Sequence, residues 1–282
     1  MSELSRKVNK VMKKIISYLV ILIFTITSAK ASHLPGGNIT YECVGPDQYL
    51  VTLTMYEDCQ TGFMTPGSSF TINVVNSCGL PTQVVSATEI VFQNEVSQLC
   101  PTAQSTCNGG TLPGVWEHQY QVLVTLPGPC DSWTFYHTSC CRNGSVNATS
   151  TVDDYYFYAT LNNLDAPCNN SPTYTAPPIP YVCSGQTVCY SLGVVEVDGN
   201  TLVYSFTDAL ENPMLTPVVY SAGYSGANPI PGITIDPVTG QVNFIAPGLT
   251  GQYLVVILIE EYDANGVLIG SQVYDYVFNV VA

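Results

Sequence analysis

An all-β fold is predicted for this chain from three observations. Apolar and polar residues alternate with a period of two along most of it. Those runs are short and are broken by 22 glycines and 19 prolines, together with Asn and Asp. No window carries a helix-period apolar stripe long enough to survive the Pro and Gly spacing. The composition of the 282 residues, 46% hydrophobic, 11% aromatic and only 10% charged, predicts a packed core and excludes a solvated disordered chain.

The first element is an export signal. Arg6, Lys7, Lys10, Lys13 and Lys14 form a basic start, Ile15 to Thr27 is mainly apolar, and Ala29-Lys30-Ala31 is a small-x-small site. That order is a secretory signal peptide over residues 1–31, too short in its apolar part to span a bilayer, with cleavage expected after Ala31. The processed chain is then expected not to span a membrane. Cleavage removes six of the seven bases and one of the 21 acids, Glu3. Arg142 is left alone against twenty carboxylates, a net charge of −19. Such a surface repels phosphate, which excludes nucleic acid as a partner and favours cations.

Strands follow in order. Val51, Leu53 and Met55 share one face of the first, Phe70, Ile72 and Val74 one face of the second, and Tyr120, Val122, Val124 and Leu126 one face of the third. In the fourth, Tyr155, Phe157, Ala159 and Leu161 are on one side, with Tyr156 and Tyr158 on the other. Leu202, Tyr204 and Phe206 mark the fifth. Tyr253 to Ile259 is apolar on both faces, as in a strand covered by two layers. The last, Val273 to Val281, sets Tyr274, Tyr276, Phe278 and Val280 on one face. Pro167, Pro172, Pro177, Pro178 and Pro180 mark a seam. The expectation is two tandem β-sandwich domains, a cysteine-rich one at 32–170 and a second at 182–282, joined by a Pro-rich linker at 171–181.

All eleven cysteines follow the signal, and an exported chain meets oxidising conditions, so disulfides are expected rather than zinc-thiolate sites. The odd count leaves at least one thiol unpaired within the chain. Cys100–Cys107 and Cys183–Cys189 are the expected local bridges because their spans are short and turn-rich; Cys43, Cys59, Cys130, Cys140, Cys141 and Cys168 are expected in longer ones. Three histidines at no metal-binding spacing argue against zinc.

Three segments carry a family resemblance. They are His33-Leu-Pro-Gly-Gly-Asn-Ile-Thr-Tyr-Glu-Cys43, Tyr49-Leu-Val-Thr-Leu-Thr-Met-Tyr-Glu-Asp-Cys59, and Phe135-Tyr-His-Thr-Ser-Cys140-Cys141-Arg142-Asn143-Gly144. Together they resemble the N-terminal module of large secreted surface proteins of gliding Bacteroidota, which end in a gliding-motility-associated C-terminal domain and use type IX secretion. Glu196-Val-Asp198-Gly199-Asn200, Ile233 to Phe244 and Gly251 to Val256 resemble cadherin-like and immunoglobulin-like repeats of such proteins. The resemblance implies a secreted, non-enzymatic surface module for adhesion or envelope structure.

Calcium is the candidate ligand, since hard cations take oxygen donors from short acidic loops. Glu196, Asp198 and Asn200 form one candidate set, and Asp263 and Asn265, following Glu260-Glu261, form another. Both patterns are also ordinary hairpin turns, the favoured reading of the two, and Asp236-Pro237-Val238-Thr239-Gly240 is expected to be a turn. Arg142 is expected to pair with a carboxylate, Asp153 or Asp154. No catalytic motif is present, and the adjacent carboxylates Asp153-Asp154 and Glu260-Glu261 would face opposite ways on a strand, so no enzyme is expected. The expected partner is a surface protein or a polysaccharide. Two alternatives stay open: a lectin-like module using the 19 tyrosines, and a filament-forming subunit linked through the odd cysteine.

Overall fold

A computed structural model describes residues 34–60, 64–99, 103–140, 142–149, 154–176, 181–212 and 214–282. The expected signal peptide, His33, Cys100, Cys141 and Asp153 lie outside them. The fold is all-β, as predicted. Its strands are β1 (Gly36–Gly45), β2 (Gln48–Asp58), β3 (Ser69–Asn76), β4 (Gln83–Glu95), β5 (Val115–Thr125), β6 (Trp133–Ser139), β7 (Tyr155–Leu161), β8 (Thr173–Tyr174), β9 (Tyr181–Cys183), β10 (Thr187–Tyr190), β11 (Val194–Val195), β12 (Thr201–Phe206), β13 (Thr234–Ile235), β14 (Val242–Ile245), β15 (Gly251–Tyr262) and β16 (Leu268–Val281). Among the described residues no helix is long and apolar enough to cross a membrane.

Alternation decides which side of each strand is buried. Val51, Leu53 and Met55 of β2, Ile72 and Val74 of β3, and Phe157, Ala159 and Leu161 of β7 all point into one cluster with Trp133 and Phe135. The strands around this core close on themselves. Hydrogen-bonded pairs run β1-β2-β5-β4-β3-β6-β7-β16, and β16 returns to β1 at Asp275 and Gly37. Closure removes the exposed strand edges that invite aggregation. It also demands close approach. A Cβ at Gly36 would lie 2.1 Å from the Asp275 carbonyl oxygen, and one at Gly37 would lie 2.5 Å from the Phe157 ring.

β16 is the shared wall. It pairs with β7 at Gly270 to Gln272, with β1 at Asp275, and with β9, in parallel, at Asn279 to Val281, while β15 lines its other edge throughout. The sequence marks one apolar face on this strand. The structure covers both, because Val273, Asp275, Val277 and Asn279 are buried as well as Tyr274, Tyr276, Phe278 and Val280. A second core lies between the β15–β16 layer and the small sheet β10-β14-β13, where Phe278 packs edge-on against Phe244 at 4.7 Å and against Tyr190 at 5.5 Å.

The two halves thus have separate cores but one continuous sheet, and Ser32–Ala282 is a single compact unit. The described part of the Pro-rich segment is packed rather than extended as a spacer. Ser171 exchanges hydrogen bonds with the Tyr41 backbone, the Pro172 carbonyl accepts from the Gln272 side chain, and β8 pairs with β11.

Disulfides join distant segments: Cys43–Cys168, Cys59–Cys107 and Cys78–Cys130. Cys140 is also disulfide-bonded. Two expected bridges are corrected. Cys107 is joined to Cys59 rather than Cys100, because the β2 end and the Thr106–Asn108 turn meet beside β5, where the Cys59 N–H donates to the Gly114 carbonyl. Cys183 and Cys189 are free and exposed. They sit on β9 and β10, which belong to opposing sheets, and Val182 and Val188 fill the core between those sheets, so both thiols face outward. Cys78, which had no expected partner, holds the β3–β4 turn to Cys130.

Substituting Gly36→Ala is expected to lower stability by about 1–3 kcal/mol, through backbone overpacking at the closing pair. Gly144→Ala, where an added Cβ meets nothing within 4 Å, is the neutral control, and both are read from chemical-denaturation midpoints.

Candidate functional site

The Glu196–Asn200 loop leaves β11 and enters β12. Glu196 shapes it by accepting from the backbone N–H groups of Asp198 (2.6 Å), Gly199 (2.6 Å) and Asn200 (2.8 Å), with Gly199 at φ +83°. The loop faces a second segment held by the Cys43–Cys168 bridge. Asp198 accepts from the Asn170 backbone N–H at 2.7 Å and from its side-chain amide at 3.0 Å, and Asn170 in turn accepts from the Cys43 N–H at 2.9 Å. β15 supplies the third segment. The Glu261 carboxylate accepts from Asn200 Nδ2 at 2.8 Å and from Asn169 Nδ2 at 2.9 Å.

Carboxylate oxygens of Glu196, Asp198 and Glu261 all come within 4.8 Å of one another. Glu261 is buried, and its pKa is pushed up to about 7, first by burial and then by the negative charge of Glu196 and Asp198, against the lowering effect of the Asn169 and Asn200 amides. Such a group can hold a proton or a hard cation, because either relieves the repulsion among three carboxylates. Of the expected ligands, Glu196, Asp198 and Asn200 meet here.

Asp263 and Asn265 do not join them. They close the β15–β16 hairpin, where Asp263 accepts from the N–H groups of Asn265 (2.9 Å) and Val267 (2.8 Å) and from Asn265 Nδ2 (3.0 Å). Those donors hold the exposed Asp263 carboxyl below its ordinary pKa. Asp236 likewise caps a turn, accepting from Val238 and Thr239.

Asn169, Asn170 and Glu261 complete the cluster. The sequence shows them as an Asn-Asn pair beside Cys168 and as one of two adjacent carboxylates ending an apolar run, neither of which joins them to the 196–200 loop. Asn38, Asn143, Asn147 and Asn169, which head Asn-x-Ser/Thr triplets, are all buried and therefore poor glycan acceptors in the folded chain. Arg142 corrects another expectation. It binds Asp275, with Nη1 at 2.6 and 2.7 Å from its two oxygens, rather than Asp154, because its segment lies beside β1 and β16; Asp153, the other expected partner, lies outside the described residues.

No family model matches the chain, and no curated protein is significantly similar to it in sequence.

The raised Glu261 pKa fixes the sign of a pH dependence. The folded state holds this proton more tightly than the unfolded chain, whose carboxyl titrates near its ordinary 4.5. Its contribution is therefore full below about pH 4.5 and lost as pH rises through about 7, on the order of 3 kcal/mol in all. Glu261→Gln is expected to flatten stability against pH over that window. An unchanged slope in urea titrations would remove Glu261 from the account.

Proposed function

We propose that this chain is a secreted, non-enzymatic cell-surface module for adhesion or envelope structure, stiffened by calcium at the Glu196–Asp198–Glu261 cluster. The observation that carries the reading is the long-range disulfide framework on an all-β unit. Cys43–Cys168 alone closes a sequence separation of 125, and such staples fit an oxidising, extracellular setting. The acidic surface favours cations, and the candidate cluster lies where the 168–171 segment meets the 196–200 loop, so a cation there would tie the two together. The segments that resemble Bacteroidota surface proteins support the same role.

Thermal unfolding of the oxidised chain in calcium, in chelator and in magnesium tests this. Extracellular calcium sites bind at roughly 10⁻⁴ to 10⁻³ M, so ~10 mM calcium should raise the midpoint by several degrees, with a smaller rise in magnesium and none in Asp198→Asn. An equal shift with magnesium would return the cluster to a purely structural, proton-holding role.

A second reading, a covalently assembling subunit, is favoured by the exposed thiols of Cys183 and Cys189 on opposite outer faces. Non-reducing electrophoresis is expected to show a ladder that collapses to dimers in Cys183→Ser or Cys189→Ser. Monomer alone would end that reading.

A further inference from the structure

A cleft of about 270 Å³ opens on the outer face of β1, β2 and β5, walled by the segment around β8. Its floor follows from strand register. Asn38 faces Thr54, and Thr54 faces Gln119; Thr40 faces Thr52; Tyr56 faces Glu117. All these side chains lie on the strand faces turned away from the β-ring's core, and Thr173, Tyr174 and Ala176 form the wall.

The lining selects a ligand class. Hydroxyls and carboxamides dominate it, offering donors and acceptors without charge. Glu117 is the one carboxylate and already accepts from Asn94 Nδ2 at 3.1 Å. An anionic ligand finds no counter-charge, because Arg142, the sole Lys or Arg after residue 30, is buried against Asp275. A peptide adding as a strand finds no free edge at β2 and β5, which are paired on both sides, and the second edge of β1 is taken by β16 at Gly37, by Ser171 at Tyr41 and by Asn170 at Cys43. Tyr174, half-buried with its ring packed on Tyr274 at 4.5 Å, is the aromatic residue of the wall; the apolar face of a sugar ring can pack against the exposed part of such a side chain. The cleft volume is at the small end for ligand sites, enough for a terminal or single sugar unit rather than a long chain.

We propose that the Asn38–Thr54–Gln119 cleft binds a neutral glycan end. The inference rests on the surface-module reading, since such a ligand is met outside the cell. It adds a binding site separate from the acidic cluster.

The test is saturation-transfer NMR and affinity retention of the full chain on cello-, xylo-, manno- and N-acetylchito-oligosaccharides, with oligogalacturonate as the anionic counterpart. Binding of at least one neutral series is expected. It should weaken about tenfold in Thr54→Val and in Gln119→Ala, as loss of one buried hydrogen bond implies, and stay unchanged in Tyr136→Ala on the outer face of β6. Each variant must keep the parent thermal midpoint to count. Failure to bind any neutral series, equal or tighter binding of oligogalacturonate, or binding indifferent to both cleft variants would overturn the proposal. Protease accessibility of the chain on intact cells tests the surface reading separately, so either can fail without the other.

Discussion

The Arg142–Asp275 pair is the constraint around which the sheet is arranged. A buried guanidinium, the one Lys or Arg side chain after residue 30, has to find its partner inside, and Asp275 is buried with it. Burial pushes the Asp275 carboxyl up, and Arg142 opposes that shift. Removing either partner would strand an uncompensated charge, which in buried pairs costs about 3–5 kcal/mol. The position matters as much as the energy. Asp275 is where β16 passes from pairing with β7 to pairing with β1, so the ion pair fixes the register at the point where the ring closes. Arg142 Nη2 also reaches the Leu210 carbonyl, which ties in the loop after β12.

Much of this architecture was legible in the chain because period-two alternation is a local signal. Each run named from sequence, from Val51-Leu53-Met55 to Tyr274-Tyr276-Phe278, falls on a strand with the expected face inward, Leu126 lying one residue past the end of β5. What alternation cannot carry is which strands are neighbours. Closure of the ring depends on Gly37 meeting Asp275 across most of the chain, and no local pattern encodes that pairing. The double burial of β16 escaped for a related reason. Asp275 and Asn279 read as a solvated face until Arg142 and the second layer are placed against them.

The cysteines and the acidic cluster show the same division. Short spacing suggested Cys183–Cys189, yet adjacent strands of a sandwich can belong to opposite sheets, and then six residues of separation put the thiols on opposite sides. Glu196, Asp198 and Asn200 were visible as a loop motif. Glu261 was visible as one of two adjacent acids before the Asp263 turn, not as a partner of the 196–200 loop, and Asn169 and Asn170 as neighbours of Cys168. Their convergence comes from the Cys43–Cys168 staple and the β12–β15 pairing, both long-range.

Sharing β16 between the ring and the second layer has a mechanical consequence. At Gly270–Gln272, Asp275 and Asn279–Val281 this strand is paired on both edges, and those bonds run across its direction. A pull along its axis therefore loads many bonds in shear at once rather than opening them singly. The two cores also cannot yield in sequence while that strand stays in place. Strain entering either half is passed to the other through one rigid wall, the behaviour of a single tether rather than of two beads on a string.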